Sequence, residues 1–175
     1  MRQWLRRNAV ALVAATVLVP ATALIIGGSE WWAYYSGRDV FPVTVEPGEA
    51  AEFSGATYGP ATITEFAEDP EWELPPGVKV LSAEVPIRTG DGPARCGTPT
   101  LRELAGDGRR WTVAPSPVDL PYDEDASSLC DSERTGTYTV AVAFLVPDDV
   151  SGLLGLDFTV VDELPRFLRL VVDVP

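Results

Sequence analysis

Residues 9 to 28 carry no charged side chain, and this run constrains the chain more than any other feature. As a helix, 20 residues span about 30 Å, the thickness of a bilayer's hydrocarbon core. Everything after it folds on whichever side of a membrane the run delivers it to. Arg2, Arg6 and Arg7 precede the run with no acid among them. The positive-inside rule therefore holds that end in the cytoplasm and sends the remainder outward. Trp4 marks one membrane interface, and Trp31, Trp32, Tyr34 and Tyr35 mark the other, because amphipathic rings favour the headgroup layer. Pro20 lies mid-span, where membrane helices tolerate proline. Ser36-Gly37 reads as a helix stop. The chain thus divides into a cytoplasmic basic tail (1–8), a transmembrane helix (9–28), an interfacial aromatic segment (29–37) and an extracytoplasmic domain (38–175).

A cleaved signal peptide is the competing reading. The basic start, the apolar run Ala9–Val19, the helix breaker Pro20 and the small residues Ala21-Thr22-Ala23 fit that pattern, with cleavage near Ala23. Leu24-Ile25-Ile26 extend the apolar run past such a cut, and an aromatic belt follows where a span should end. The uncleaved, single-pass anchor is preferred. Both readings export the residues after 37.

The charge balance narrows the partners. Of 13 basic residues three precede the run, which leaves ten against 26 acids and a formal charge of −16. Such a domain repels phosphate backbones and anionic membrane surfaces, so nucleic acid is not a partner. The lipid bilayer, reached through the N-terminal helix, and an envelope protein remain. Histidine is absent, which removes the commonest general base and transition-metal ligand. Without histidine a serine nucleophile lacks its usual base, and no glycine-rich phosphate loop precedes a helix. No enzyme, no catalytic or metal-binding residue and no cofactor is expected.

Glycine and proline, 15 and 16 in number, punctuate the exported part. Between them lie short runs rich in Val, Thr, Ile and aromatics, the composition of strands. The expected strands are Phe41–Val45, Ala61–Phe66, Val78–Ile87, Thr98–Leu104, Arg110–Val113, Tyr138–Val146, Leu156–Val160 and Phe167–Val174. Tyr138, Val140, Val142, Phe144 and Val146 alternate onto one face. So do Leu81, Ala83, Val85 and Ile87, with Val80 out of pattern. Pro86 lacks a donor, so its strand should end or run at an edge there. Gly106-Asp107-Gly108 reads as a hairpin turn, and Thr89-Gly90-Asp91-Gly92 as a loop. About eight strands separated by turn signals predict an all-β, antiparallel sandwich.

Cys96 and Cys130 are the only cysteines. In an oxidising compartment a lone pair forms one disulfide. Closing a loop of 34 positions stabilises a fold by about 3–4 kcal/mol on the chain-entropy model.

From Leu74 onward the order of elements becomes familiar. Pro76–Val85 precedes Leu101–Trp111 with its Gly-Asp-Gly-Arg-Arg-Trp hairpin. Gly136–Val146 then runs into Pro147-Asp148-Asp149, and Phe167–Val174 closes the chain. Over residues 46 to 175 this resembles the bacterial extracellular domain of unknown function labelled telomeric repeat-binding-factor-like. The resemblance implies the immunoglobulin-like sandwich of the immunoprotective extracellular antigen, and Phe144-Leu145-Val146-Pro147 stands where that family ends its penultimate strand. Thr89–Gly92 and the Cys96-bearing insertion depart from its usual asparagine-rich turn. The resemblance implies no catalytic residue.

Two loops are candidate sites. Trp72 sits among acids and prolines in Glu65–Pro76, where a stiff loop presenting one ring suits partner recognition, though a ring folded over a sheet edge gives the same sequence. The acidic segment 123–133 offers carboxylates to calcium. Its spacing departs from the EF-hand pattern at Ser128 and Arg134, and a solvated loop is the expectation. Asp148-Asp149 and Asp162-Glu163 are adjacent pairs that point apart and read as surface charges. The chain is expected to be a tethered immunoglobulin-like domain that binds an envelope partner. A structural envelope protein without a dedicated ligand is the alternative.

Overall fold

The computed structural model describes residues 2–66, 74–114, 126–130 and 133–174. Residues 1–38 form one compact unit and residues 39–175 another. The first unit is helical: α1 (Arg2–Arg7), then α2 (Ala9–Ser36). α2 passes through Pro20 and ends at Gly37. The aromatic segment assigned above to 29–37 therefore forms the last turns of the same helix. Within α2 the Thr16 hydroxyl donates to the Leu12 carbonyl and the Ser29 hydroxyl to that of Ile26. Among the described residues α2 is the one helix long and apolar enough to cross a membrane, by length and composition alone.

The second unit is a β-sandwich. Its strands are β1 (Phe41–Val45), β2 (Ala51–Phe53), β3 (Ala56–Tyr58), β4 (Thr62–Phe66), β5 (Val78–Thr89), β6 (Thr100–Glu103), β7 (Arg110–Thr112), β8 (Ala126–Ser127), β9 (Thr137–Pro147), β10 (Gly152–Phe158) and β11 (Arg166–Val174). One sheet has the order β1-β11-β10-β6-β7, and the other β2-β3-β5-β9-β8 with β4 also paired to β5. The alternating rows meet between the sheets. Leu81, Ala83, Val85 and Ile87 of β5 and Tyr138, Val140, Val142, Phe144 and Val146 of β9 share a core with Leu154, Leu156 and Phe158 of β10 and Leu168, Leu170, Val172 and Val174 of β11. Val80, out of pattern in the sequence, faces the other way and packs with Ala143, Phe66, Leu74, Ala114 and Leu145 in a small second cluster.

The architecture agrees with the expected immunoglobulin-like sandwich, with four corrections. The sheets are mixed, because β1 pairs parallel with β11 and β8 parallel with β9. Antiparallel pairing is natural for strands joined by short turns, but β1 and β11 come from opposite ends of the domain. Pro86 lies inside β5, in mid-sheet. Its carbonyl accepts from Gly59 N–H at 2.9 Å, so its nitrogen faces the same side, at Gly59-Pro60-Ala61 where the chain passes from β3 to β4. The missing donor falls where the ladder is interrupted. β10 begins at Gly152 and ends at Phe158, earlier at both ends than expected, because its partners on β11 and β6 lie there. Finally, the hairpin β2–β3 went unread in the sequence. It turns through Ser54 (φ 49°) and Gly55 (φ 77°), consecutive left-handed residues that suit a tight hairpin. The Gly106-Asp107-Gly108 hairpin is as expected, with Leu101 opposite Trp111.

Tyr58 is a costly group in the core. Tyr58 is fully buried against Phe158, ring centroids 5.6 Å apart, and its hydroxyl has no hydrogen-bond partner among the described residues. Burial, and secondarily the neighbouring Tyr138, push its phenol up to about 12. An unfolded tyrosine ionises at about 10. The stability linked to this phenol is thus complete below that pH and is lost as pH rises towards the folded value. Tyr58→Phe should unfold in urea within about 1 kcal/mol of wild type at neutral pH, since an unpaired buried hydroxyl contributes little. At pH 11 the variant should be the more stable protein.

Candidate binding face

β10 turns Leu154, Leu156 and Phe158 into the core, so the alternate positions Leu153, Gly155 and Asp157 fall on the outer face of the five-stranded sheet. Asp157 is nonetheless only 2% exposed. A buried carboxylate must be paired, and cross-strand register supplies the partner. Arg169 of β11 lies directly opposite and forms a two-pronged pair with it, Nε to Oδ1 and Nη2 to Oδ2 both at 2.7 Å. Gly155 makes room for this geometry: a Cβ there would stand 3.0 Å from Arg169 Cδ and Nε. The hydrogen bonds that Arg169 donates to Asp157 raise the affinity of its guanidinium for its proton above the ordinary value.

Two further arginines converge on the same carboxylate. Arg102 of β6 and Arg110 of β7 are opposite each other in register. Arg102 Nε and Arg110 Nη2 each stop 3.9 Å from Asp157 Oδ2, outside hydrogen-bond range. Arg110 is held instead by Asp39 at 2.7 Å. Arg102 has no such partner among the described residues, and its Nε is shielded from solvent. Burial, then the like charges of Arg110 and Arg169, lower its proton affinity against the pull of Asp157 and Asp39. Beside Arg110 lies a pocket of about 400 Å³ lined by Asp39, Thr100, Arg110, Trp111, Thr112 and Thr159.

A separate cluster pins the tip of the β6–β7 hairpin. Arg109 reaches Glu103 through Nε and Nη2, both at 3.0 Å, and Asp149 through Nη1 at 3.1 Å. The bonds from Arg109 hold the Glu103 carboxyl below its usual range. Asp149 is thus a surface charge, as expected, that braces a turn. Asp162 and Glu163 form a short 3-10 turn, with Glu163 paired to Arg166.

The other residues singled out in the sequence fall elsewhere. Cys96 and Cys130 form a disulfide with Cα atoms 5.3 Å apart. It joins the segment before β6 to the segment before β9, and so ties one sheet to the other. Trp31, Trp32, Tyr34 and Tyr35 gather in the last turns of α2: the Trp31 and Tyr35 rings lie 4.7 Å apart, and the Arg38 guanidinium sits 3.7 Å from the Tyr34 ring centre. Trp4 is exposed on α1 with Arg6 and Arg7. Arg2 begins the same helix. Trp72 lies outside the described residues, as do residues 123–125, 131 and 132 of the acidic segment. Part of that segment, Ala126–Ser127, is strand β8 and not loop. Among the described residues no group of three or more potential ligands could hold a metal ion.

Comparison with known proteins adds little to this geometry. No protein-family model matches the chain, and no curated protein matches it significantly. The family resemblance of residues 46 to 175 therefore stands on residue order alone, and only the sandwich it implied is found. The chain is similar to the 1.5 Å crystal structure of MPT63, a secreted protein from Mycobacterium tuberculosis, at 12% identity and a TM-score of 0.45. The alignment covers 74% of this chain and 98% of that one. A likeness so distant bears on neither the fold nor the activity here.

Two stability measurements probe the face and its staple. Asp157→Asn leaves clustered guanidiniums without their central charge and should cost about 3–5 kcal/mol in urea unfolding. The double variant Asp157→Leu/Arg169→Met should recover part of that loss, because it removes both members of the buried pair. Reducing Cys96–Cys130 should lower stability by about 3–4 kcal/mol, read as a fall in urea midpoint without a change of fold.

Proposed function

We propose that the chain is exported by its N-terminal helix, retained by that helix as a single-pass anchor with the N-terminus cytoplasmic, and that residues 38–175 work outside the cytoplasm as a binding domain for an envelope partner. The observation that carries this reading is the continuity of α2. It runs unbroken through Ala21-Thr22-Ala23 and Leu24-Ile25-Ile26 to the rings of Trp31, Trp32, Tyr34 and Tyr35, the length and flank of a span closed by an aromatic belt. The disulfide supports export, since such bonds persist in oxidising compartments. The arginine-clad outer face supports binding, because a purely structural spacer has no need of three guanidiniums drawn to one carboxylate. In this reading Trp72 is a second contact for the partner. The lipid bilayer is the partner of the helix, and nucleic acid is excluded by the −16 charge.

Release after cleavage near Ala23 is the second reading, favoured by Pro20 followed by Ala21-Thr22-Ala23. Fractionation with alkaline carbonate, followed by intact-mass measurement, separates the two. The anchor predicts a full-length chain that stays in the membrane pellet. A soluble chain whose mass begins at Leu24 would replace the anchor with secretion.

A further inference from the structure

The domain's charge is strongly negative, yet on one face the local balance reverses. Three arginines, Arg102, Arg110 and Arg169, meet two carboxylates, Asp39 and Asp157. Asp157 gives both oxygens to Arg169 at 2.7 Å, and Asp39 accepts from Arg110 through Oδ2 at 2.7 Å. Arg102 is left over. Its side chain is one-third exposed and comes no closer to Asp157 than 3.9 Å. Its backbone is held on β6 between two other strands, opposite Gly155 of β10 on one side and Arg110 of β7 on the other. A guanidinium held this way has donors to spare and like charges for neighbours. Arg109 and Arg166, by contrast, each have a carboxylate of their own.

We propose that this face is an oxyanion site, in which Arg102 and Arg110 take a phosphate or carboxylate group from the ligand. A planar fork matches two oxygens of either group, and the added negative charge completes the balance that Asp157 and Asp39 leave short. Burial, and after it the like charges of Arg110 and Arg169, lower the proton affinity of Arg102 by more than Asp157 and Asp39 raise it. Thr100, Thr112 and Thr159 line the pocket beside Arg110, and their hydroxyls add donors for further oxygens. Asp39 also lines that pocket and sets the limit on its anion affinity. The proposal deepens the binding reading by naming the ligand chemistry. It concerns the folded protein alone, so its failure is separate from any failure of export or anchoring.

The test is a titration of the full chain in neutral detergent micelles, followed through the arginine Nε–H resonances at neutral pH. Sodium phosphate and sodium acetate are the two probes, with sodium chloride at matched ionic strength as control. Site binding predicts that the Arg102 resonance moves saturably with phosphate, acetate or both, and stays still with chloride. The probe that saturates first identifies the oxyanion class. Arg102→Lys keeps the charge but loses the fork, and should weaken the apparent affinity by about tenfold. The wild-type titration stands by itself if that variant does not fold. No movement with either oxyanion, equal movement with chloride, or unchanged affinity in a folded Arg102→Lys protein would overturn the proposal.

Discussion

The domain is hung on one ribbon. β5 and β9 pair antiparallel from Val78 opposite Pro147 to Arg88 opposite Thr137, and the rest of their sheet is built outward from them. β3 and β4 line up along the far side of β5, and β8 along the far side of β9. The inward row of the ribbon supplies one half of the core, and β10, which follows β9 after a short turn, begins the other. Both strands alternate except around Val80 and Ala143, which pack on the other face, so a slip of one residue would turn Leu81, Val85, Val140 and Phe144 out of the main core. Pro86 survives inside it only because the neighbouring ladder breaks where its donor is missing.

The second sheet carries the chemistry. Its inner face completes the core, and its outer face has been given a charge that must be neutralised. Asp157 is hidden there because Arg169 covers it and Gly155 lets Arg169 lie flat. That arrangement costs desolvation and fixes the cross-strand positions of Arg102, Arg110 and Asp39 around it. A face built this way is rigid and polar, and presents guanidinium forks in defined positions. Those are properties of a recognition surface, and they do not require a catalytic base, which the histidine-free sequence does not readily supply.

How much of this was legible follows from the range of each signal. β1 was found with its exact ends, and β5 and β9 were recognised because period-two alternation is a local pattern that needs no knowledge of the partner strand. The β6–β7 hairpin was visible for the same reason, through Gly106-Asp107-Gly108. The β2–β3 hairpin was missed because its strands are three residues each, although Ser54-Gly55 between Phe53 and Ala56 was the available sign. The binding face was not legible at all. Asp157 could be placed outward from Leu156 and Phe158, but its meeting with Arg102, Arg110 and Arg169 depends on the registers of four strands, which no local pattern encodes. Trp72 and the acidic segment stand out by local composition alone. The arginine cluster around Asp157 instead draws on residues scattered over more than 60 positions of chain.

Compartment ties the parts together. The apolar helix, the basic flank before it, the aromatic rings after it and the bridge from Cys96 to Cys130 all describe a chain that works on the far side of a membrane. The most direct measurement is the redox state of the two cysteines in living cells, trapped by acid and alkylated before and after reduction. The account predicts that neither Cys96 nor Cys130 takes the label until a reductant is added, and that both then do. Two freely labelled thiols in the untreated cells would contradict it.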